Sequence, residues 1–188
     1  MTYIEELTNA RITKPNTMVA GISSQILQIR KESIKQSLSD LDAIEHRQNY
    51  VATIDGVMYY DDSRAESVNA TWFTFENIIK PVIWIAGGDD ADTDFKDLRH
   101  KAKKNVKALI CIGKDNANLK KSFQKDVKDI FEADSLKDAV TMASLLAQDD
   151  DIVLFSPACK SDNEGETYNE RGRHYMELVK QMENEHLQ

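Results

Sequence analysis

The chain has 188 residues, with 24 Lys and Arg against 32 Asp and Glu, and the resulting net charge of −8 argues against a general nucleic-acid binder, which needs a basic footprint. At 41% hydrophobic it can bury the core of one ordinary domain with a short appendage, which excludes wholesale disorder. Its two cysteines, Cys111 and Cys159, sit on or just after apolar strands and read as free buried thiols rather than a disulfide framework.

In chain order, residues 16–40 come first. NTMVAGISSQILQIRKESIKQSLSD predicts two helices with an apolar stripe of Ile22, Ile26, Leu27 and Ile29. This stretch has no strands of its own, so residues 1–43 are predicted to be a helical appendage that packs against something else. The remainder, 44–188, alternates short apolar runs with amphipathic stretches. NYVATIDG and VMYYDD predict two strands joined at Asp55-Gly56, a favoured hairpin dipeptide. Residues 65–79 carry apolar side chains at helical spacing. PVIWIAGG, ALICIGK at 108–114 and DIVLFSPA at 151–158 predict three buried strands, and 94–104, 115–125 and 135–147 predict helices, with Asp134 or Ser135 capping the last. A final helix is predicted to begin near Arg171-Gly172. Near-continuous apolar strands alternating with helices imply a mostly parallel sheet covered on both faces. The fold class is α/β, Rossmann-like, with a hairpin edge.

Several chemistries are absent. None of the seven glycines is followed by Lys-Ser or Lys-Thr, so there is no P-loop, and there is no GxGxxG, CxxC, HExxH or Gly-x-Ser-x-Gly. A self-contained nucleotide hydrolase or metalloenzyme is therefore not predicted, and no metal ligands are assigned. No apolar run approaches a membrane span and MTYIEELTNAR is not a signal peptide, which predicts a soluble cytoplasmic protein with no membrane partner. Taken alone, His46-Arg47 reads as a surface pair at a strand start. Asp61-Asp62-Ser63-Arg64 reads as a polar helix start, and DDADTD at 89–94 as a solvated acidic loop. Lys101, Lys103, Lys104 and Lys107 read as a solvated helix end. His100 and His174 read as ordinary helix residues, and Trp72 and Trp84 as core.

Four stretches carry a further signal: IEHR at 44–47, YDDSRAESVNAT at 60–71, VIWIAGG at 82–88, and Ser156-Pro157-Ala158-Cys159 with the later Arg171-Gly172. In this order they resemble the C-terminal domain of the bacterial Mur ligases of peptidoglycan synthesis, and the flanking residues favour the D-glutamate-adding subtype. The resemblance covers roughly residues 44–183. The appendage resembles the final helices of the central ATPase domain of those enzymes. By that resemblance Arg47, Asp62, Ser63 and Arg64 would meet ATP, Asp62 at the ribose and the next two near the phosphates, with Asn16 near the adenine. Ser161 and Tyr168 would seat the incoming amino acid.

The departures gather at that amino-acid position. Glu66 stands where the family carries a Thr that helps hold the amino acid, and Ala91 where it carries a Lys that pairs with a substrate carboxylate. An anion gained and a cation lost count against D-glutamate, since a close like-charge contact costs up to about several kcal/mol. In the Mur ligases ATP converts a substrate carboxylate to an acyl phosphate, which the amino group of the amino acid attacks. The central domain supplies the P-loop and the magnesium ligands, and an N-terminal domain binds the UDP-sugar. The chain is thus expected to be the amino-acid-positioning, ATP-closing domain of such a ligase, inactive in isolation and reliant on the missing domains or a protein partner. The alternative is a stand-alone, non-catalytic binding or regulatory module that docks on a partner.

Overall fold

The computed structural model describes residues 46–161 and 166–187. The predicted appendage, with its apolar stripe and Asn16, lies outside the described residues. Asp55 (φ 49°) and Gly56 (φ 79°) turn the chain between β1 (Asn49–Ile54) and β2 (Val57–Asp61). Two successive positive φ angles are what a two-residue type I′ hairpin demands, and Asp-Gly adopts them readily. The other strands are β3 (Val82–Ala86), β4 (Val106–Ile112), β5 (Asp129–Ala133) and β6 (Ile152–Phe155). The helices are α1 (Val68–Asn77), α2 (Lys96–Asn105), α3 (Ala117–Phe123), α4 (Leu136–Leu146) and α5 (Tyr168–His186). One six-stranded sheet results, in the order β1-β2-β6-β3-β4-β5, and only the β1–β2 pairing is antiparallel. This is the expected Rossmann-like α/β sheet with its hairpin edge.

Both faces of the central strands are apolar because both are covered. Ile83, Ile85, Val153 and Phe155 point to one face, where Ala139, Val140 and Ala143 of α4 and Tyr175 and Val179 of α5 pack. Val82, Trp84, Ala86, Ile152 and Leu154 point to the other, under Phe75 of α1, Leu98 and Ala102 of α2, and Leu119 and Phe123 of α3. Trp84 lies edge-on between Phe75 and Phe123, with ring centroids 5.2 Å away on each side, and donates Nε1–H to the Ser156 carbonyl at 2.8 Å. Its reading as core holds.

The chain runs outward from β3 to β4 to β5 with α2 and α3 on one face. Then α4 returns across the opposite face to β6, which lies between β2 and β3. A right-handed crossover requires that change of face when the direction reverses. The reversal opens a crevice at the carboxyl ends of β3 and β6, the place where open α/β sheets bind ligands.

Two elements differ from the sequence reading. No strand is predicted at 129–133 from the sequence. Asp129–Ala133 forms the outer edge, only Ala133 in it is buried, and a half-exposed edge strand has no continuous apolar run to betray it. The last helix starts at Tyr168 rather than at Arg171-Gly172. Thr167 caps it: its hydroxyl accepts from the Glu170 N–H, and the Glu170 carboxylate accepts from the Thr167 N–H at 2.8 Å. For α4 the cap is Ser135, whose hydroxyl accepts from the Asp138 N–H at 3.1 Å. Replacing Ser135 by Ala is expected to lower stability by about 1 kcal/mol. An unchanged urea midpoint would mean that the α4 amino end is held by other contacts.

Candidate functional site

At the carboxyl end of β2, Asp61, Asp62 and Ser63 fold inward instead of forming a polar helix start. Asp61 meets buried His46 (Oδ2 to Nδ1, 2.5 Å) and accepts from the Ser63 N–H at 3.0 Å. His46 is therefore not the surface residue that its sequence context suggests. Asp62 is 1% exposed. Its Oδ2 accepts from the Thr74 and Ser156 hydroxyls, both at 2.7 Å, and its Oδ1 from the Gln48 N–H at 3.3 Å. Burial pushes the Asp62 carboxyl up to about 6, against the smaller opposing pull of these hydrogen bonds and of the Arg47 charge. The Ser63 hydroxyl is also buried, beside His46 and Gly172. The resemblance implies direct nucleotide contacts for Asp62 and Ser63. In this structure both face inward, while Arg47 is half-buried and Arg64 is exposed. The cap of α1 is Ser67, whose hydroxyl accepts from the Ala70 N–H at 3.3 Å.

The Ser-Pro-Ala-Cys turn after β6 is fully used by its neighbours. Besides the Ser156 carbonyl held by Trp84, the Pro157 carbonyl accepts from the Gly87 N–H at 3.0 Å, and the Ala158 N–H donates to the Ala65 carbonyl at 2.9 Å. Ala158 is buried at φ 63°, an uncommon conformation for a residue with a Cβ, held in place by these bonds. The turn carries the chain back over the β3 end, where Lys160 bridges Asp89, and delivers Ser161. Cys159 and Cys111 are buried and form no disulfide, as expected, and burial pushes the Cys111 thiol up to about 12, far from a reactive thiolate.

Beyond these turns lies a cleft of about 530 Å³ at the strand carboxyl ends. Gly87 and Gly88 line it from β3, Ile112 to Lys114 from β4, Asp134 to Leu136 from the β5–α4 turn, and Phe155 from β6. Ser161, Glu166, Arg171 and His174 complete its wall. The Ser161 hydroxyl donates to the Glu166 carboxylate at 2.5 Å.

Two further contacts tie together residues singled out in the sequence. The Arg64 guanidinium lies 4.9 Å from the centroid of the Tyr168 ring, so one residue assigned to ATP and one assigned to the amino acid stack on each other. Glu66 accepts from Arg171 Nη2 at 2.9 Å. Glu66 is therefore not the unopposed anion that its sequence position suggests, and its charge is met by an arginine that is itself only 5% exposed. The acidic loop also departs from the reading of a solvated stretch. Asp90 is buried, accepts from the Leu119 N–H at 2.9 Å and anchors the start of α3, and its burial raises its carboxyl pKa. Asp89, Asp92 and Asp94 remain exposed. Lys107 belongs to β4, not to a helix end, and pairs with Asp151 at 2.5 Å, while Lys101 pairs with Glu76 and lies over Trp72.

Sequence reasoning missed Lys114, Glu166 and Arg171 as members of the cleft. The usable signal was position: Lys114 follows the Gly that ends a buried parallel strand, where such folds place ligand contacts. Among the described residues no group of three or more His, Cys, Asp or Glu is placed to hold a metal ion. No helix among them is long and apolar enough to cross a membrane.

A doubly covered, mostly parallel sheet with a polar cleft at its switch point defines a Rossmann-like α/β domain. The sequence profile of the family described as Mur ligase, glutamate ligase domain, matches residues 46–159, and the chain belongs to that family. Similar curated proteins include the UDP-N-acetylmuramoylalanine–D-glutamate ligases of Christiangramia forsetii (39% identical over 89% of this chain and 38% of that protein) and Salinibacter ruber (35% over 87% and 36%). The chain thus spans less than two fifths of the length of these relatives. Among solved structures, E. coli FolC in complex with ADP shares the fold, with a TM-score of 0.53 at 18% identity over 75% of this chain and 33% of that one.

Proposed function

We propose that this chain is the amino-acid-positioning domain of a ligase that joins D-glutamate to UDP-N-acetylmuramoylalanine. The observation that carries the reading is the cleft at the switch point. It gathers Ser161 with charged side chains, beside the contacts of Arg64 with Tyr168 and of Glu66 with Arg171. In this reading Arg47 and Arg64 reach the nucleotide from the surface, because a guanidinium suits phosphate and ribose oxygens. Asp62 and Ser63 act from beneath, fixing the backbone that presents Arg64, whose N–H donates to the His46 carbonyl at 3.1 Å. Stacking of Arg64 on Tyr168 couples the nucleotide side to the amino-acid side. An acyl phosphate is destroyed by water, so a domain that arrives with the amino acid and covers the ATP has a gating role. ATP and magnesium would be held mainly by the P-loop-bearing central domain of such a ligase.

The test is a chimera. Residues 1–188 replace the corresponding part of the Christiangramia forsetii ligase, and D-glutamate-dependent phosphate release is measured with ATP and UDP-N-acetylmuramoylalanine. Activity well above that of the relative truncated before this region is expected. A folded chimera that releases phosphate with no amino acid, or only with lysine or diaminopimelate, would refute D-glutamate as the acceptor.

One observation favours the second reading, a module that docks on a partner. An apolar groove of about 330 Å³ runs between β2, β6 and the end of α1, lined by Met58, Tyr60, Ile78, Ile79, Ile152 and Leu154, with Ile79 91% exposed. A chimera inactive with every amino acid would favour that reading.

A further inference from the structure

Glu66 and Arg171 form an ion pair that stands between two cavities. Arg171 lines the cleft at the strand ends, while Glu66 lines a second, smaller pocket of about 250 Å³ with Ser67, Asp89, Cys159 and Lys160. The bond between them, Nη2 to Oε1 at 2.9 Å, therefore crosses the wall that the two spaces share. The chain crosses the same wall between Lys160, on the pocket, and Ser161, on the cleft.

The pair keeps hydrogen-bonding capacity on both sides. A guanidinium carries five N–H donors in a planar fork, and the bond to Glu66 uses one of them. The Nε–H of Arg171 is buried and meets no acceptor among the described residues. A buried donor without an acceptor is uncommon in folded proteins and marks a place where a further group belongs. Glu66 engages Arg171 through Oε1, and its side chain is 31% exposed, so the carboxylate is open to a second donor from the pocket.

Charge decides what such a pair can take. A ligand with a single charge is attracted by one member and repelled by the other. A zwitterion is attracted by both, its carboxylate by the guanidinium and its ammonium by the Glu66 carboxylate. The head group of an α-amino acid is such a zwitterion, with both charged groups on one carbon.

We propose that Glu66 and Arg171 together read the zwitterionic head of the amino-acid substrate, Arg171 taking the α-carboxylate and Glu66 the α-ammonium. The inference rests on reading this region as the amino-acid subsite of a ligase. Two departures that count separately against an acidic substrate then become one exchange. Glu66 meets the ammonium rather than a carboxylate, and α5 supplies the cation that Ala91 does not. The side chain of the amino acid extends into the cleft, where the amino end of the eleven-residue α4, through Ser135 and Leu136, favours a negative group.

The test is titration of the isotope-labelled 188-residue chain, followed by amide chemical shifts, with D-glutamate and two analogues that each lack half of the head group. Glutarate lacks the amine, and 4-aminobutyrate lacks the α-carboxylate. D-Glutamate is expected to move the amides of Glu66, Ser67 and Arg171, and each analogue to bind roughly tenfold more weakly, in keeping with the loss of one charge-assisted hydrogen bond. Glu66→Gln keeps an oxygen for Arg171 and removes the charge, and retained spectral dispersion reports that it is folded. It should weaken D-glutamate roughly tenfold and should not weaken glutarate, which carries no ammonium. Equal weakening of both would mean that the pair only fastens α5 to the start of α1, and would overturn the inference. Glutarate binding the wild type as tightly as D-glutamate would overturn the role of Glu66, and 4-aminobutyrate doing so would overturn that of Arg171. Either result leaves D-glutamate binding, and the ligase reading, standing. Absence of D-glutamate shifts at Glu66 and Arg171 would overturn the inference as a whole, and D-glutamate-dependent phosphate release by the chimera then decides the ligase reading separately.

Discussion

Gly172→Ala is expected to lower the stability of the domain by about 2–3 kcal/mol and its Tm by about 5–10 °C. Gly172 lies inside α5, where alanine would ordinarily gain about 1 kcal/mol of helix propensity. Here a Cβ would lie 2.1 Å from His46 Nδ1 and 2.3 Å from Ser63 Oγ. Neither neighbour has room to yield, because both are buried and His46 is held by Asp61 at 2.5 Å. The overlap must be relieved by moving α5 outward. That motion carries Arg171 away from Glu66 and Tyr168 away from Arg64, so the site loosens together with the fold. Thermal unfolding checks the first effect. The second would show as altered shifts at Glu66 and Tyr168. A Tm within about 1 °C of wild type would show that the contact is easily relieved.

The Arg-Gly pair shows where sequence reasoning reaches and where it stops. The dipeptide stands out, but its two jobs lie across the fold: Gly172 admits His46 and Ser63, from the other end of the domain, and Arg171 neutralises Glu66. The hairpin, the three buried strands and the helices between them were legible because period-two and helical apolar patterns are local. β5 was not, since an edge strand buries too little to mark itself. Charges were the least legible feature. Glu66, Asp90 and Lys107 read as unopposed or solvated, and each has a partner distant in sequence: Arg171, the start of α3, and Asp151. The same limit hid the cleft, whose polar residues come from three strand ends and the start of α5.

Asp62 makes the second large prediction, in the pH dependence of stability. Its folded pKa of about 6 lies above the usual aspartate value, because burial penalises the charged form more than the Thr74 and Ser156 hydroxyls favour it. The folded state therefore binds the proton more tightly than the unfolded chain. The stability this confers is complete below about pH 3, where Asp62 is protonated in both states, and is lost as the pH rises through about 6. A difference of about 2 pKa units corresponds to roughly 3 kcal/mol. Asp62→Asn, which stays neutral throughout, isolates that contribution from every other titrating group. The stability of the wild type minus that of the variant should fall by about 2 kcal/mol between pH 4 and pH 7 in urea denaturation. Parallel curves would show that Asp62 ionises in the fold as easily as in the unfolded chain. Removal of the Arg47 charge, one of the influences that lowers this pKa, should move the fall to slightly higher pH. A nucleotide phosphate that drew Arg47 toward itself would act in the same direction, linking ligand binding at the surface to the proton on the buried carboxylate beneath it.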